Sequence, residues 1–183
     1  YPGTCRNGLP QGRQARAWRL KVEPGQICFE DALQGLYCQD LAAEVGDFVV
    51  LRADGYFAYQ LAVVVDDAEQ GVTHIVRGAD LIDSTPRQIC LQRHLGLAQP
   101  AYLHLPAAVN ASGEKLSKQT RAKPIDDFRP QAALSAALAF LGQQPPGVLA
   151  EADLDSLWRW AIMHWDRSAL PRCRAVAAPA ACS

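Results

Sequence analysis

Apolar and polar positions alternate in short blocks through the first half of the chain and settle into helical spacing near its end. Over residues 1–45, Tyr1-Pro2-Gly3-Thr4, Gly8-Leu9-Pro10 and Glu23-Pro24-Gly25 interrupt small apolar stretches such as Ala17-Trp18-Arg19-Leu20-Lys21-Val22, a pattern that predicts short strands and loops. From Asp47 the pattern sharpens. Phe48–Arg52 predicts a strand, Asp54-Gly55 a turn, and the β-forming run Tyr56–Val65 a second strand, which together make a hairpin. Thr73–Arg77 predicts another strand, and Asp83 or Ser84 caps a helix over 85–95 that has Pro86 in its first turn and Gly96 at its end. Ala101–Val109 is again a strand, so residues 72–109 read strand, helix, strand, the unit of a parallel sheet.

Beyond it, Asn110-Ala111-Ser112-Gly113-Glu114-Lys115 is polar and turn-forming and leads into the basic run Lys115–Lys123, which predicts a mobile, positively charged loop. Two helices follow. The first, over 130–141, is apolar almost all round and is expected to be buried. The second carries Leu154, Leu157, Trp158, Ala161 and Trp165 at helical spacing, with Asp153 and Asp155 favourable in the first turn. Residues 172–183, rich in Ala and Pro, read as a frayed or surface-hugging tail.

Composition narrows the classes. Of 183 residues 49% are hydrophobic, which supports one globular domain able to build a core, with room for an appendage, and the strand–helix–strand pattern makes that core α/β. No apolar run approaches the roughly 18 residues of a membrane span. Eighteen basic residues balance 19 acidic ones for a net charge of −1, so a nucleic-acid partner must be recognised by a local surface rather than by bulk charge. Six cysteines without CxxC spacing predict reduced thiols in a cytoplasmic protein. No heptad pattern predicts an oligomer, so a monomer is expected. A start at Tyr1, with neither Met nor a signal-peptide pattern, predicts a cut chain.

Several residue groups could carry chemistry. Tyr59 and Arg77 converging on a cleft would suit a carboxylate ligand, because the guanidinium fork matches two carboxylate oxygens; the plainer alternative makes Tyr59 core and Arg77 a surface ion-pair partner. Asp66 and Asp67 close a predicted strand, where ligand-facing carboxylates sit in α/β sheets, or else mark a helix N-terminus. Lys115, Ser117 and Lys118 form a basic loop with a hydroxyl, able to close over a polyphosphate, or simply a solvated loop. His104, between Leu103 and Leu105, reads as a half-buried, satisfied histidine. Tyr1 and Cys5 are two possible metal ligands four apart, short of a zinc site by themselves. No P-loop, GxGxxG or HExxH is present.

The blocks Tyr56–Asp67, Gly71-Val72-Thr73, Val76-Arg77-Gly78-Ala79-Asp80-Leu81, Ser84-Thr85-Pro86-Arg87-Gln88, Leu103-His104-Leu105-Pro106 and Lys115-Leu116-Ser117-Lys118, in this order, resemble the glutamyl branch of the class I aminoacyl-tRNA synthetases. Within that branch the chain is most similar to a shortened paralogue that activates glutamate with ATP and attaches it to queuosine in the anticodon of tRNA(Asp). The resemblance implies the C-terminal half of a Rossmann-like catalytic core with a small helical subdomain. Residues 1–45 would end an inserted zinc or connecting region, 46–110 the second half of the catalytic domain, and 111–183 the signature loop and helical part. It further implies glutamate binding by Tyr59 and Arg77, ATP binding by Lys115, Ser117 and Lys118 with magnesium accompanying the nucleotide, and a catalytic role for Lys118.

Two departures stand out. The signature loop differs from KMSKS at Leu116 and Gln119, although both lysines and the serine remain. The start Tyr1-Pro2-Gly3-Thr4-Cys5 resembles the second half of the family's zinc motif, making Tyr1 and Cys5 two of four zinc ligands. The HIGH motif and the paired zinc cysteines would lie before Tyr1, so half an active site is expected here. The stretch after Lys118 is too short for the large helical anticodon-binding region of the glutamyl-tRNA synthetases. A truncated glutamyl-tRNA synthetase and a non-catalytic tRNA-binding fragment are the alternative expectations.

Overall fold

The computed structural model describes residues 1–9, 11–117 and 129–178. The chain divides into two compact units, the first made of residues Tyr1–Arg77 and Leu81–His104, the second of Gly78–Asp80 and Leu105–Ser183.

The first unit is built on β1 (Trp18–Leu20), β2 (Gln26–Asp31), β3 (Gly35–Asp40), the short α1 (Leu41–Glu44), β4 (Phe48–Leu51), α2 (Tyr59–Glu69), β5 (His74–Gly78), α3 (Thr85–Leu95) and β6 (Ala101–Leu105). Four strands form one sheet in the order β3-β2-β6-β5, with β2 antiparallel to β3 and parallel to β6. A separate antiparallel pair joins β1 to β4. Val22, Leu41, Phe48, Val64, Cys90 and Leu91 make one core cluster, and Phe29, Ile82, Ile89 and Tyr102 a second. Burial of such side chains stabilises the unit by about 1.5–3 kcal/mol each. This is the mixed α/β arrangement expected from the strand–helix–strand pattern, consistent with the Rossmann-like core that the family resemblance implied.

The predicted hairpin of residues 48–65 is half right. Gly55, at φ 86°, makes the turn, and Arg52 N–H donates to Tyr56 O at 2.8 Å. Then, instead of a second strand, Tyr59–Glu69 forms α2. Its β-branched run and the acidic Asp66, Asp67 and Glu69 in its last turn oppose a helix locally. Tertiary packing overrides them: Val64 is buried, with Leu61 and Val63 against the same cluster. Asp66 and Asp67 are therefore in a helix, not at a strand end.

Ser84 does precede α3, but its hydroxyl caps nothing; it accepts instead from Gln60 Nε2 at 3.1 Å and Arg87 Nη2 at 3.2 Å. Gly96 ends α3 in the left-handed region at φ 66°, with Leu97 N–H reaching Gln92 O at 2.9 Å.

Cys28 and Cys38 also depart from expectation. They are directly opposed on β2 and β3 and joined by a disulfide, whereas Cys5 and Cys90 are free thiols. The expectation of reduced thiols missed this pair because it depends on strand register, which the spacing of ten residues does not reveal.

In the second unit, β7 (Ala107–Val109) follows Pro106, which has no N–H for a ladder and splits the single strand expected over 101–109. β7 pairs in parallel with β8 (Ala175–Ala177), so the segment read as a frayed tail is in part a strand. The helices are α4 (Pro130–Phe140) and α5 (Leu154–Met163). They meet over Leu138, Leu157 and Ala161. Of α4 only Leu138 is fully buried, since a helix paired with one neighbour hides one stripe whatever its composition. Asp153 caps α5 by accepting from Ser156 N–H at 2.9 Å. Trp158 and Trp165, expected on its inner face, are 48% and 46% exposed; Trp160 is the tryptophan that packs against the cluster. No helix among the described residues is long and apolar enough to cross a membrane.

Candidate active site

Arg77, near the end of β5, is the centre of a buried polar network in the first unit. Its Nε donates to His104 Nε2 at 3.0 Å, and its Nη2 donates to Thr85 Oγ1 and Gln88 Oε1, both at 2.8 Å. Gln88 Nε2 in turn donates to Gln60 Oε1 at 3.0 Å, tying α3 to α2. The guanidinium is thus gripped by residues of β6 and α3, the elements next along the chain. Burial pulls its pKa down, while Tyr59, Tyr102 and Asp67 act the other way and favour the charge. A guanidinium remains protonated in any such setting. Tyr59 also hydrogen-bonds this guanidinium, so the fixed cation and the phenol lie together, a pairing whose chemistry suits a carboxylate ligand.

Tyr59, in the first turn of α2, is 53% exposed and lies close enough to act on the Arg77 charge. The plainer reading of this pair, a core tyrosine and a surface ion pair, does not describe it. His104, read as half-buried, is wholly buried, and its Nδ1 lies 2.6 Å from Asp31 Oδ2.

Asp31, Thr85, Gln88 and Gln60 escaped the sequence reading as site residues. The Asp31-Ala32-Leu33-Gln34-Gly35 segment did carry a turn signal. Asp31 Oδ1 accepts from Leu33 N–H at 3.0 Å and Gln34 N–H at 2.9 Å. Nothing in the sequence showed that the same carboxylate faces His104, 73 residues away.

Lys115 and Ser117 belong to the second unit. The turn expected over 110–115 is present there: Asn110 Oδ1 accepts from Ser112 and Glu114 N–H, both at 2.9 Å, and Lys115 bridges back to Val109. The Lys115 ammonium is 2.5 Å from Asp80 Oδ2. Lys118, like Gln119 and the rest of the basic run to Lys123, lies outside the described residues.

Tyr1 and Cys5 face one another across a turn, the Cys5 N–H donating to the Tyr1 hydroxyl at 2.7 Å, and the Cys5 thiol is exposed and free. Arg19 stacks over the Tyr1 ring, 4.2 Å from its centroid. A tetrahedral zinc takes four donors. These two fit one half of such a site, and no group of three or more His, Cys, Asp or Glu among the described residues could hold a metal. A cavity of about 650 Å³ opens beside them, lined in part by Arg6, Arg13, Arg16 and Arg19.

The model for the catalytic domain of class I tRNA synthetases (E and Q) matches residues 5–145. The chain belongs to this family. As a class I (E and Q) catalytic-domain chain it is 60% identical over 183 residues to a glutamyl-Q tRNA(Asp) synthetase of Aromatoleum aromaticum, covering 100% of this chain and 58% of that protein. It is 58% identical over 180 residues to another of that name from Dechloromonas aromatica, covering 98% and 60%. The chain thus spans somewhat over half the length of these relatives. Among solved structures, a glutamate-tRNA synthetase of Elizabethkingia anophelis matches with a TM-score of 0.66 at 21% identity, covering 89% of this chain and 36% of that one. That likeness shows the class I synthetase fold.

Proposed function

We propose that the protein carrying this chain activates glutamate with ATP and transfers the glutamyl group to queuosine in tRNA(Asp). The observation that supports this best is Arg77, a half-buried guanidinium oriented by His104, Thr85 and Gln88 and lying beside Tyr59, in a chain 60% identical to a glutamyl-Q tRNA(Asp) synthetase.

In the first step a carboxylate oxygen of glutamate attacks the α-phosphorus of ATP. The bond from that phosphorus to the β-phosphate bridging oxygen breaks, giving glutamyl-adenylate and pyrophosphate. Arg77 and Tyr59 hold the amino acid so that the two reactants meet at high effective concentration. Lys115, Ser117 and Lys118 take the ATP side, with Lys118 balancing the charge that develops on the phosphates and magnesium arriving with the nucleotide. In the second step a queuosine hydroxyl attacks the activated carbonyl and AMP leaves. Tyr1 and Cys5 would hold a structural zinc together with two further ligands; when bound, the metal cross-links the segment and takes no part in the reaction.

The test is glutamate-dependent exchange of labelled pyrophosphate into ATP by the full-length protein without tRNA, followed by transfer of labelled glutamate to queuosine-bearing tRNA(Asp). Exchange and transfer together support the reading. Exchange that requires tRNA, with charging of tRNA(Glu), would instead mark a glutamyl-tRNA synthetase. Salt-sensitive tRNA binding with no exchange would mark a non-catalytic binding module.

A further inference from the structure

The Asp31–His104 pair is completely buried, both side chains at 0% exposure, and the chemistry above leaves it unused. Two such groups are costly to bury unless every polar atom is matched. Here the matching is directional. Asp31 Oδ1 accepts from the backbone N–H groups of Leu33, Gln34 and His104, the last at 3.2 Å, and Oδ2 faces His104 Nδ1. Burial alone would raise the pKa of Asp31, but these hydrogen bonds outweigh it and hold the carboxyl below its ordinary range. An ionised carboxylate only accepts, so Nδ1 of His104 carries a proton. Arg77 Nε only donates, so His104 Nε2, 3.0 Å away, must offer a lone pair. Both ends of the ring are thereby specified, and the imidazole is neutral with its proton on Nδ1.

We propose that Asp31 and His104 are positioning residues for the substrate carboxylate: Asp31 selects the His104 tautomer that accepts from Arg77 Nε, and this bond fixes the guanidinium plane that receives glutamate. The inference rests on the glutamate-binding reading of Arg77. Gln34 Nε2, donating to His104 O at 2.8 Å, ties the β2–β3 turn to the same strand. Thr85 and Gln88 hold Nη2, and His104 opposes rotation of the guanidinium from the Nε side.

Asp31→Asn separates this from a merely structural role. An amide offers an N–H where the carboxylate offered a lone pair, and its NH2 turned toward Nδ1 moves the ring proton to Nε2, where it opposes Arg77 Nε–H. In the full-length protein the glutamate KM for pyrophosphate exchange is expected to rise about tenfold or more, with the ATP KM and the rate at saturating glutamate within about twofold. His104→Gln, which can return an oxygen acceptor toward Arg77, should recover much of the glutamate KM lost in His104→Leu. An unchanged glutamate KM in Asp31→Asn, or equal rises for glutamate and ATP, overturns the proposal.

A second readout is independent of activity and of how well the variants fold. Proton–nitrogen correlation spectra of the wild-type histidines, with His104 assigned through His104→Gln, should show a neutral ring protonated at Nδ1. A ring protonated at Nε2, or at both nitrogens, overturns the positioning role. If the wild-type protein shows no glutamate-dependent exchange while His104 has the expected tautomer, the glutamate reading fails and the geometry of the dyad stands.

Discussion

Lys115 Nζ rests 2.5 Å from Asp80 Oδ2, and the turn before it is built so that the two meet. The approach depends on Gly78. A β-carbon there would lie 2.3 Å from Asp80 Oδ1, so a side chain at 78 pushes the carboxylate aside. Lys115 and Asp80 are therefore held as an ion pair by the backbone on both sides.

Because both partners are substantially exposed, at 54% and 29%, Asp80→Asn should change stability by less than about 1 kcal/mol, and less still in high salt. Gly78→Ala should abolish the same contact, so the pair of substitutions together should cost less than the sum of the two alone. Urea denaturation of the two single variants and the double variant checks this; strict additivity would mean that Gly78 and Asp80 act separately.

In the second unit, Leu157→Ala should cost about 2–5 kcal/mol, because Leu157 is 0% exposed between α4 and α5 and its removal leaves a cavity in a small core. Trp158→Ala, one residue further on and turned outward, should cost under about 1 kcal/mol despite the larger side chain. Thermal melts of both variants decide it, and the reverse order would place the helix face where the sequence pattern first put it.

That contrast shows what the sequence made legible. The 85–95 helix and the turn at Gly55 were readable because proline and glycine signals are local, while the strand expected over 101–109 is present in two pieces. Helix α2 was not, since a continuous apolar run such as Leu61–Val65 fits a buried strand as well as a helix, and only packing of Val64 against Leu41, Phe48 and Leu91 decides. The site divided the same way. Tyr59 and Arg77 were candidates from residue type and family likeness, whereas Asp31 and Gln88 became relevant only once β2, β6 and α3 were brought side by side.

Asp47 gives the first unit an acid limit. Burial pushes its pKa up, but the Val22 N–H at 3.0 Å and the Arg6 guanidinium pull harder, and the carboxyl ends below its usual range. A carboxyl depressed in the folded state contributes stability above its unfolded pKa and loses that contribution as pH falls through the folded value, so the loss begins below about pH 4. Asp47→Asn should cost about 1–3 kcal/mol at neutral pH and flatten the acid limb of the stability curve. Denaturation midpoints between pH 7 and pH 2 test both parts; a variant whose acid limb parallels the wild type would assign that limb to other carboxylates, Asp31 among them.

Gln88 offers a test of how the charge of Arg77 is used. Its Oε1 accepts from Arg77 Nη2 at 2.8 Å and its Nε2 donates to Gln60 Oε1 at 3.0 Å, so the amide orientation is set from both sides. Gln88→Glu has nearly the same shape but places a buried carboxylate against the guanidinium and removes the donor to Gln60. The new charge pairs with Arg77, which compensates its own burial, and the fold should survive with only a small fall in melting temperature. The substrate carboxylate then meets a cation already neutralised. On the glutamate-binding reading of Arg77, the glutamate KM should rise about tenfold or more while the ATP KM holds. Gln88→Leu separates charge from hydrogen bonding: it leaves Arg77 charged with one acceptor fewer, so it should lower stability more and raise the glutamate KM less than Gln88→Glu does. Equal effects of the two substitutions on the glutamate KM would show that the amide matters for packing alone and that the charge of Arg77 is not what the substrate reads.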